Sequence, residues 1–193
     1  MARRPGCRSW QHLRRQADVT GPGIDFLLVT VGTTSFDDLA RAADELVPEL
    51  APRAGLIQIG EGRYEPRHLP HERFVPGLRE LYQRSSLVIA HGGAATTFEV
   101  LRAGVPLVSV ANSDRYDDHQ ADLLSALDDA GHLLWCADLA DLGEVAKRAL
   151  EHDFVPLPEG DCTIGSQIVD YLGATTGRRR WRDRLLLRTD RGG

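Results

Sequence analysis

The chain has 193 residues, a length typical of one domain, and 42% of them are hydrophobic but only 6% aromatic, so aliphatic side chains must fill the core. The net charge of −5 argues against nucleic acid as the main partner. The three cysteines are widely spaced and form no C-x-x-C pair, which is typical of the reducing cytoplasm and argues against disulfides or structural zinc. No apolar run approaches the roughly 20 residues that a membrane span needs, and the Arg-rich N-terminus lacks the apolar stretch of a secretory signal.

The charge is concentrated at the two ends of the chain. Residues 1–24 carry a net charge of +4 and residues 175–193 carry +5, which leaves −14 for the segment between them. Arg, Gly and Pro without hydrophobic periodicity predict irregular chain at both ends. We therefore predict a disordered basic leader over residues 1–24, an ordered domain over 25–173 and an Arg-rich tail over 174–193.

Short apolar runs alternate with amphipathic stretches along the predicted domain. The apolar runs predict strands at 26–31, 56–59, 74–75, 87–90, 107–110 and 133–135. Helical spacing predicts helices at 36–50, 78–84, 94–103, 118–130, 138–150 and 164–172. Ser35 and Asp38 are expected to form a capping box on the first helix, and Asp138 is expected to cap the fifth. This alternation predicts a Rossmann-like, doubly wound α/β domain with a parallel sheet, in which ligands bind at the carboxyl ends of the strands.

The strongest local pattern follows the predicted strand 87–90 and leads directly into a helix. It reads His91-Gly92-Gly93-Ala94-Ala95-Thr96-Thr97-Phe98-Glu99. Small residues allow a ligand to approach the main chain, and a helix start offers free N–H groups and partial positive charge. This pattern predicts a diphosphate site without Lys or a metal ion, to which Thr96, Thr97 and His91 add donors. Glu99, deeper in the helix, is expected to accept both ribose hydroxyls.

Two further loops end in helix starts and carry polar side chains. Gly32, Thr33 and Thr34 follow the first strand, but they match neither the dinucleotide fingerprint nor the P-loop, so an ordinary capped turn remains an alternative. The loop after strand 107–110 contains Asn112 and the run Asp118-His119-Gln120, whose oxygens and amide suit sugar hydroxyls. A solvated polar loop and a metal site at Asp117, Asp118 and His119 are the alternatives for this third loop.

The three segments 29–39, 91–99 and 118–120, in this order, resemble the glycosyltransferase family 28 C-terminal domain over about residues 25–152. The resemblance implies the C-terminal half of a GT-B glycosyltransferase that binds a UDP-sugar. It also implies that Gly93 and the amides after it contact the diphosphate, that Glu99 holds the ribose and that Gln120 holds the donor sugar. The turn at Gly32 and Thr33 then faces the same cleft. Ala95 departs from the family pattern, which often has a second glycine there.

The resemblance also implies a partner, because a complete GT-B enzyme needs two Rossmann-like domains and this chain has room for one. In the two-piece members of the family, which act in lipid-linked oligosaccharide and exopolysaccharide assembly, the acceptor half is a membrane-anchored subunit. We therefore expect a cytoplasmic hexosyltransferase subunit that is peripheral to the inner face of the membrane through its partner. Transfer to a lipid-linked or polysaccharide-precursor acceptor is expected to invert the anomeric centre, with no metal or cofactor.

The sequence leaves the general base and the class of protein open. His91, Asp118 and His119 are candidate catalytic residues, and the partner is a further source of the base. The rival to an enzyme is a non-catalytic module, either a nucleotide-sugar sensor or a regulatory subunit with the same loops. An NAD-linked enzyme is disfavoured because the dinucleotide fingerprint is absent.

Overall fold

The computed structural model describes residues 24–112 and 118–157, apart from the side chains at positions 118 and 119. The predicted leader and tail, the predicted helix 164–172 and most of the third loop, residues 113–117, lie outside this description. The predicted domain boundaries therefore stay predictions.

In the part of the chain that the structure describes, six parallel strands form one sheet. They are β1 (Phe26–Thr30), β2 (Ala54–Gln58), β3 (His71–Glu72), β4 (Leu87–His91), β5 (Leu107–Val110) and β6 (Leu134–Cys136). Their spatial order is β3-β2-β1-β4-β5-β6, so the direction of winding reverses between β1 and β4. This order confirms the predicted doubly wound α/β fold, and it places the ligand crevice of such folds at the carboxyl ends of β1 and β4.

Helices cover both faces of the sheet, as right-handed crossovers between parallel strands require. They are α1 (Asp37–Leu50), α2 (Leu78–Tyr82), α3 (Ala94–Arg102), α4 (Asp118–Asp129) and α5 (Leu142–Glu151), with a 3₁₀ turn at Leu139–Asp141. Helices α1 and α5 pack with one set of strand side chains, and α2, α3 and α4 pack with the other. None of the helices in the described part of the chain is both long and apolar enough to cross a membrane.

The burial of β1 explains its uninterrupted apolar sequence. All five of its residues are buried, because side chains that alternate along the strand meet helices on both faces. Leu27 and Val29 pack toward α1 and α5, whereas Phe26 and Leu28 pack toward the other layer. Thr30 is the one polar side chain of the strand, and it lies at the carboxyl end, beneath the crevice.

Two predicted features were wrong at their details. The third strand is His71–Glu72 and not 74–75. Phe74 is 54% exposed, because the two-residue strand at this edge of the sheet offers little apolar surface for it to pack against. The Ser35–Asp38 capping box is absent: the N-cap is Phe36, and no side chain caps α1. Asp138 does cap, but its carboxylate accepts from Ala140 N (2.9 Å) in the 3₁₀ turn that precedes α5.

Candidate functional site

The first two predicted loops meet at the crevice. Thr30 pairs with Ala90 in the register of β1 and β4, so the turn that begins at Gly32 lies beside the segment that begins at His91. Gly32 adopts φ +69°, a left-handed conformation that glycine accepts without strain. The sequence placed both loops at the carboxyl edge of the sheet, and the register brings them side by side.

The His91 side chain lies between the two glycine-containing segments. A Cβ atom added to Gly32 would stand 2.6 Å from His91 Cε1, and one added to Gly93 would collide with His91 Nε2. The imidazole is half-buried at the end of β4. Both glycines therefore make room for the ring, and the ring bridges the switch point between β1 and β4.

Two of the predicted amide donors are already used inside the protein. Gly32 N donates to Thr30 Oγ1 (3.1 Å), and Gly92 N donates to the carbonyl of Val110 (2.7 Å). Thr30 Oγ1 in turn donates to the buried Gln58 Oε1. The N–H groups of Gly32 and Gly92 are therefore both engaged within the protein in this structure.

The start of α3 presents the main-chain donors that remain. Gly93 is the N-cap in extended conformation, and no side chain caps the helix. Thr97 N, which donates to Gly93 O (3.0 Å), is the first intrahelical donor, so the amides of the preceding three residues have no carbonyl ahead of them: Ala94, Ala95, Thr96. Ala94 and Ala95 are exposed and Thr96 is half-buried. The Thr97 side chain is fully buried, and its hydroxyl has no hydrogen-bond partner among the described residues, so its predicted contribution to the crevice stays a prediction.

The two helix starts that flank the crevice differ in charge. The first turn of α1 contains Asp37 and Asp38, whereas the first turn of α3 contains no acidic residue. Carboxylates in a first turn offset the partial positive charge of a helix N-terminus. The partial positive charge at the start of α3 is therefore available to a ligand, whereas that at the start of α1 is offset by Asp37 and Asp38. In the turn between β1 and α1, Thr33 is exposed, and the hydroxyl of Thr34 donates to Val31 O (3.2 Å).

Glu99 lines a cavity of about 410 Å³ between α2 and α3. The residues that share this cavity are Gly77, Leu78, Arg79, Tyr82, Gln83, Arg102 and Ala103. Burial, followed by the charge of Glu99, raises the pKa of Tyr82 to about 12, although the contact between the two groups falls short of a regular hydrogen bond. The sequence predicted Glu99 but missed the α2 side of the cavity, where the Pro76-Gly77 turn was the available signal.

Part of the third loop can be placed. Asn112 is buried, and its Nδ2 lies 3.4 Å from the carbonyl of Ser35, so the loop after β5 contacts the loop after β1. Gln120 is half-buried in the first turn of α4, and its Oε1 is buried without a hydrogen-bond partner among the described residues. The side chains of Asp118 and His119 lie outside the description, and their predicted roles stay predictions. Among the side chains that are described, no three His, Cys, Asp or Glu residues converge as metal ligands would.

A parallel sheet with a switch point and an uncapped helix start beside it define a Rossmann-like α/β domain. A family model described as the glycosyltransferase family 28 C-terminal domain matches residues 26–159. The chain belongs to this family.

Relatives of known name are similar to this chain over parts of their length. The UDP-N-acetylglucosamine transferase subunit ALG13 of Homo sapiens is 38% identical over 122 residues, which are 57% of this chain and 11% of the human protein. The ALG13 subunit of Yarrowia lipolytica is 33% identical over 89 residues, 45% of each chain. The chain thus spans about a tenth of the human relative and less than half of the yeast one.

Solved structures share the fold at low sequence identity. MurG of Acinetobacter baumannii superposes with a TM-score of 0.56 at 21% identity, covering 80% of this chain and 51% of that one. The solution structure of ALG13 gives a TM-score of 0.51 at 17% identity, covering 76% of this chain and 94% of that one. The fold is therefore the one found in one half of GT-B glycosyltransferases.

Proposed function

We propose that this chain binds a UDP-sugar at the start of α3 and serves as the donor-binding subunit of a glycosyltransferase. The observation that carries the proposal is the α3 N-terminus, which is uncapped, free of acidic residues and placed at the switch point of the sheet. Such an end binds a pyrophosphate through main-chain amides and the helix dipole, without a metal ion. Membership of the family and similarity to subunits named UDP-N-acetylglucosamine transferase support the choice of ligand.

The nucleoside would lie along α3, toward Glu99. Glu99 lies five positions after Ala94, a rise of about 7.5 Å along the helix axis, which is the scale of a ribose that follows a pyrophosphate. The Glu99 carboxylate is exposed at its cavity and accepts hydrogen bonds from vicinal hydroxyls in this arrangement. Tyr82 and Leu78 supply the apolar wall beside it.

In the proposed transfer, the bond between the anomeric carbon and the UDP oxygen breaks, and negative charge grows on UDP. The amides of α3 and the His91 ring stabilise this leaving group, since preorganised dipoles act most strongly where charge develops. The acceptor hydroxyl attacks the opposite face and inverts the anomeric centre. Gln120 holds the sugar, and the base that takes the hydroxyl proton is a partner residue, with Asp118 and His119 as the candidates on this chain.

A second polypeptide completes the enzyme in this proposal. Relatives that are similar in sequence are named as subunits, which supports the proposal of a partner. We propose that the partner is membrane-anchored, binds a lipid-linked or polysaccharide-precursor acceptor and holds this chain at the cytoplasmic face of the membrane. Lipid-linked glycan or exopolysaccharide assembly is the corresponding process.

Replacing Ala95 by glutamate tests the diphosphate site. The substitution puts a carboxylate in the first turn of α3, which stabilises the helix but repels an anion at the same amides. Calorimetric titration with UDP in the presence of EDTA should show binding to the wild type and at least tenfold weaker binding to Ala95→Glu. Ala130→Glu, the same change at an exposed position at the end of α4, serves as the control. Equal UDP binding by both variants would refute the site.

Activity is tested separately with the partner. The full chain co-expressed with a membrane-anchored candidate subunit should release UDP from a UDP-sugar only when acceptor lipid is present. Release should fall in the Glu99→Ala variant. UDP binding without release in any pairing would favour the non-catalytic module.

A further inference from the structure

The loop between β2 and β3 packs against the turn that follows β1. Gly60 adopts φ +54°, and a Cβ atom there would collide with the carbonyl oxygen of Thr34 and come within 2.8 Å of Gly32 O. Glu61 N donates to Thr34 O at 3.3 Å. The carbonyl side of the β1–α1 turn is therefore covered by main chain of the β2–β3 loop.

Asp37, the first residue of α1, holds this loop from one side. Its Oδ1 and Oδ2 accept from Arg63 N at 2.8 and 3.1 Å, and Oδ1 accepts from Tyr64 N at 3.1 Å. A Cβ atom at Gly62 would collide with Oδ1, so the loop can approach the carboxylate only with glycine at this position. The Asp37 carboxylate, in the first turn of α1, thus caps main-chain N–H groups of a neighbouring loop.

Arg73 holds the same loop from the other side. Its Nη1 donates to the carbonyls of Gly60 (3.2 Å) and Gly62 (2.9 Å), and Gly60 N donates to the carbonyl of Arg73 (3.1 Å). Farther along, the buried carboxylate of Asp44 accepts from Arg67 N and His68 N, each at 2.9 Å. These hydrogen bonds, distributed along the loop between β2 and β3, hold it in one position.

The fixed loop determines which polar groups of the β1–α1 turn face the crevice. Gly32 N is turned to Thr30, and the carbonyls of Gly32 and Thr34 are turned to the loop. A carbonyl oxygen directed at a pyrophosphate would repel it, because both carry negative charge. Holding these carbonyls against the loop leaves the crevice side of the turn free of such oxygens.

We infer that Asp37 is a positioning residue for the nucleotide: through the β2–β3 loop, it holds the Gly32–Thr34 turn in the conformation that tolerates a pyrophosphate. The inference rests on the proposed function. The inference predicts that a carboxylate near the site strengthens anion binding, although its charge alone would weaken it. As a negative group beside an anion, Asp37 weakens binding, whereas as the anchor of the loop it strengthens binding.

Asp38 provides a matched control. It is the next residue in the same first turn, carries the same charge and forms an exposed pair with Arg41 at 3.7 Å. Loss of Asp38 removes one negative charge from the helix start and leaves the loop untouched. Its alanine variant is therefore expected to bind UDP about 2- to 5-fold more tightly at low salt.

The test compares Asp37→Ala, Asp37→Asn and Asp38→Ala in the full chain. UDP affinity is measured by calorimetry, amide hydrogen exchange by NMR, and folding by circular dichroism. Asp37→Ala should bind UDP about tenfold more weakly than the wild type, and the Gly32 and Glu61 amides should exchange faster. Asp37→Asn keeps an acceptor for the loop amides, and it should recover most of the affinity and protection.

The outcomes distinguish failure of the positioning role of Asp37 from failure of the proposed UDP binding. If Asp37→Ala is folded and binds UDP as well as or better than the wild type, the positioning role is overturned. Unchanged exchange at Gly32 and Glu61 in that variant overturns it as well. A wild type that does not bind UDP would remove the proposed function, while faster exchange confined to the turn and loop of Asp37→Ala would still support Asp37 as their anchor.

Discussion

Substitution of Gly32 by alanine tests the packing of His91 against the crevice turns. Two effects add at this position. The backbone has φ +69°, where an L-residue is strained by about 1–2 kcal/mol. The new Cβ atom would also stand 2.6 Å from His91 Cε1, whereas relaxed carbon contacts are about 3.5–4.0 Å, so the ring must move by roughly 1 Å.

Gly104 separates these two effects. It has φ +68°, nearly the same as Gly32, but nothing lies within 4 Å of an added Cβ atom. Gly104→Ala should therefore show only the backbone strain, about 1–2 kcal/mol of unfolding free energy. Gly32→Ala should show that strain and an overpacking term of about 1–3 kcal/mol. Equilibrium urea unfolding measures the difference, provided that the m-values agree.

A double-mutant cycle then assigns the difference to the imidazole. When Gly32→Ala and Gly104→Ala are each made in a His91→Ala background, the two destabilisations should agree to within about 0.5 kcal/mol, since no ring remains to be displaced. Equal destabilisation in the wild-type background would refute the reasoning, because His91 would then leave its place between the glycines without measurable loss.

Three further predictions follow from single side chains. Glu99→Ala should weaken UDP binding about 10- to 100-fold in calorimetry, because charge-assisted hydrogen bonds contribute about 1.5–3 kcal/mol each. The unfolding free energy should not change, because Glu99 is exposed. Unchanged affinity would exclude the ribose contact. For Asp44, burial alone would raise the pKa, but hydrogen bonds from Arg67 N, His68 N and Tyr64 outweigh it, and the pKa is lowered. A lowered folded-state pKa stabilises the fold above the unfolded pKa of about 4 and ceases to do so as pH falls through the folded value. The deficit of Asp44→Asn, about 1–3 kcal/mol at pH 7, should therefore shrink in urea titrations below about pH 4, and a deficit that stays constant with pH would contradict this account. Ala51 closes α1 with φ +44°, so Ala51→Gly should raise the unfolding free energy by about 1 kcal/mol, and a lower value in thermal or urea unfolding would show that the cap is not strained.

The fold was predictable because its strands are short, apolar and separated by amphipathic helices. Five of the six strands overlap the predicted segments, and Leu107–Val110 has the predicted bounds. β3 was missed because its pairing depends on main chain: Ile57 N donates to Pro70 O, and Ile59 N donates to Glu72 O. An edge strand held by such bonds needs no apolar side chains, so hydrophobic periodicity gives no sign of it.

The position of the site was also predictable, but the part played by several residues was not. Glycine and small residues after a strand indicate a close approach of two groups, and the sequence does not say which groups. At Gly32 and Gly93 the neighbour is the His91 ring of the same chain. The contact between Asp37 and the β2–β3 loop was missed because Asp37 and Gly62 are 25 positions apart in the sequence. The Gly-x-Gly at 60–62 was its only local sign.

The unequal charges at the two helix starts have a consequence for the proposed donor. With α1 compensated by Asp37 and Asp38, the attraction for a pyrophosphate is centred on α3, over β4 and away from β1. The strand next to β4 on the other side is β5, whose following loop holds Asn112 and leads to Gln120 at the start of α4. A pyrophosphate bound there has the Glu99 cavity on one side and the loop after β5 on the other. The nucleoside and the sugar of the proposed donor are then directed apart, and the anomeric carbon would lie at the carboxyl end of the sheet, where an acceptor held by the proposed partner could reach it.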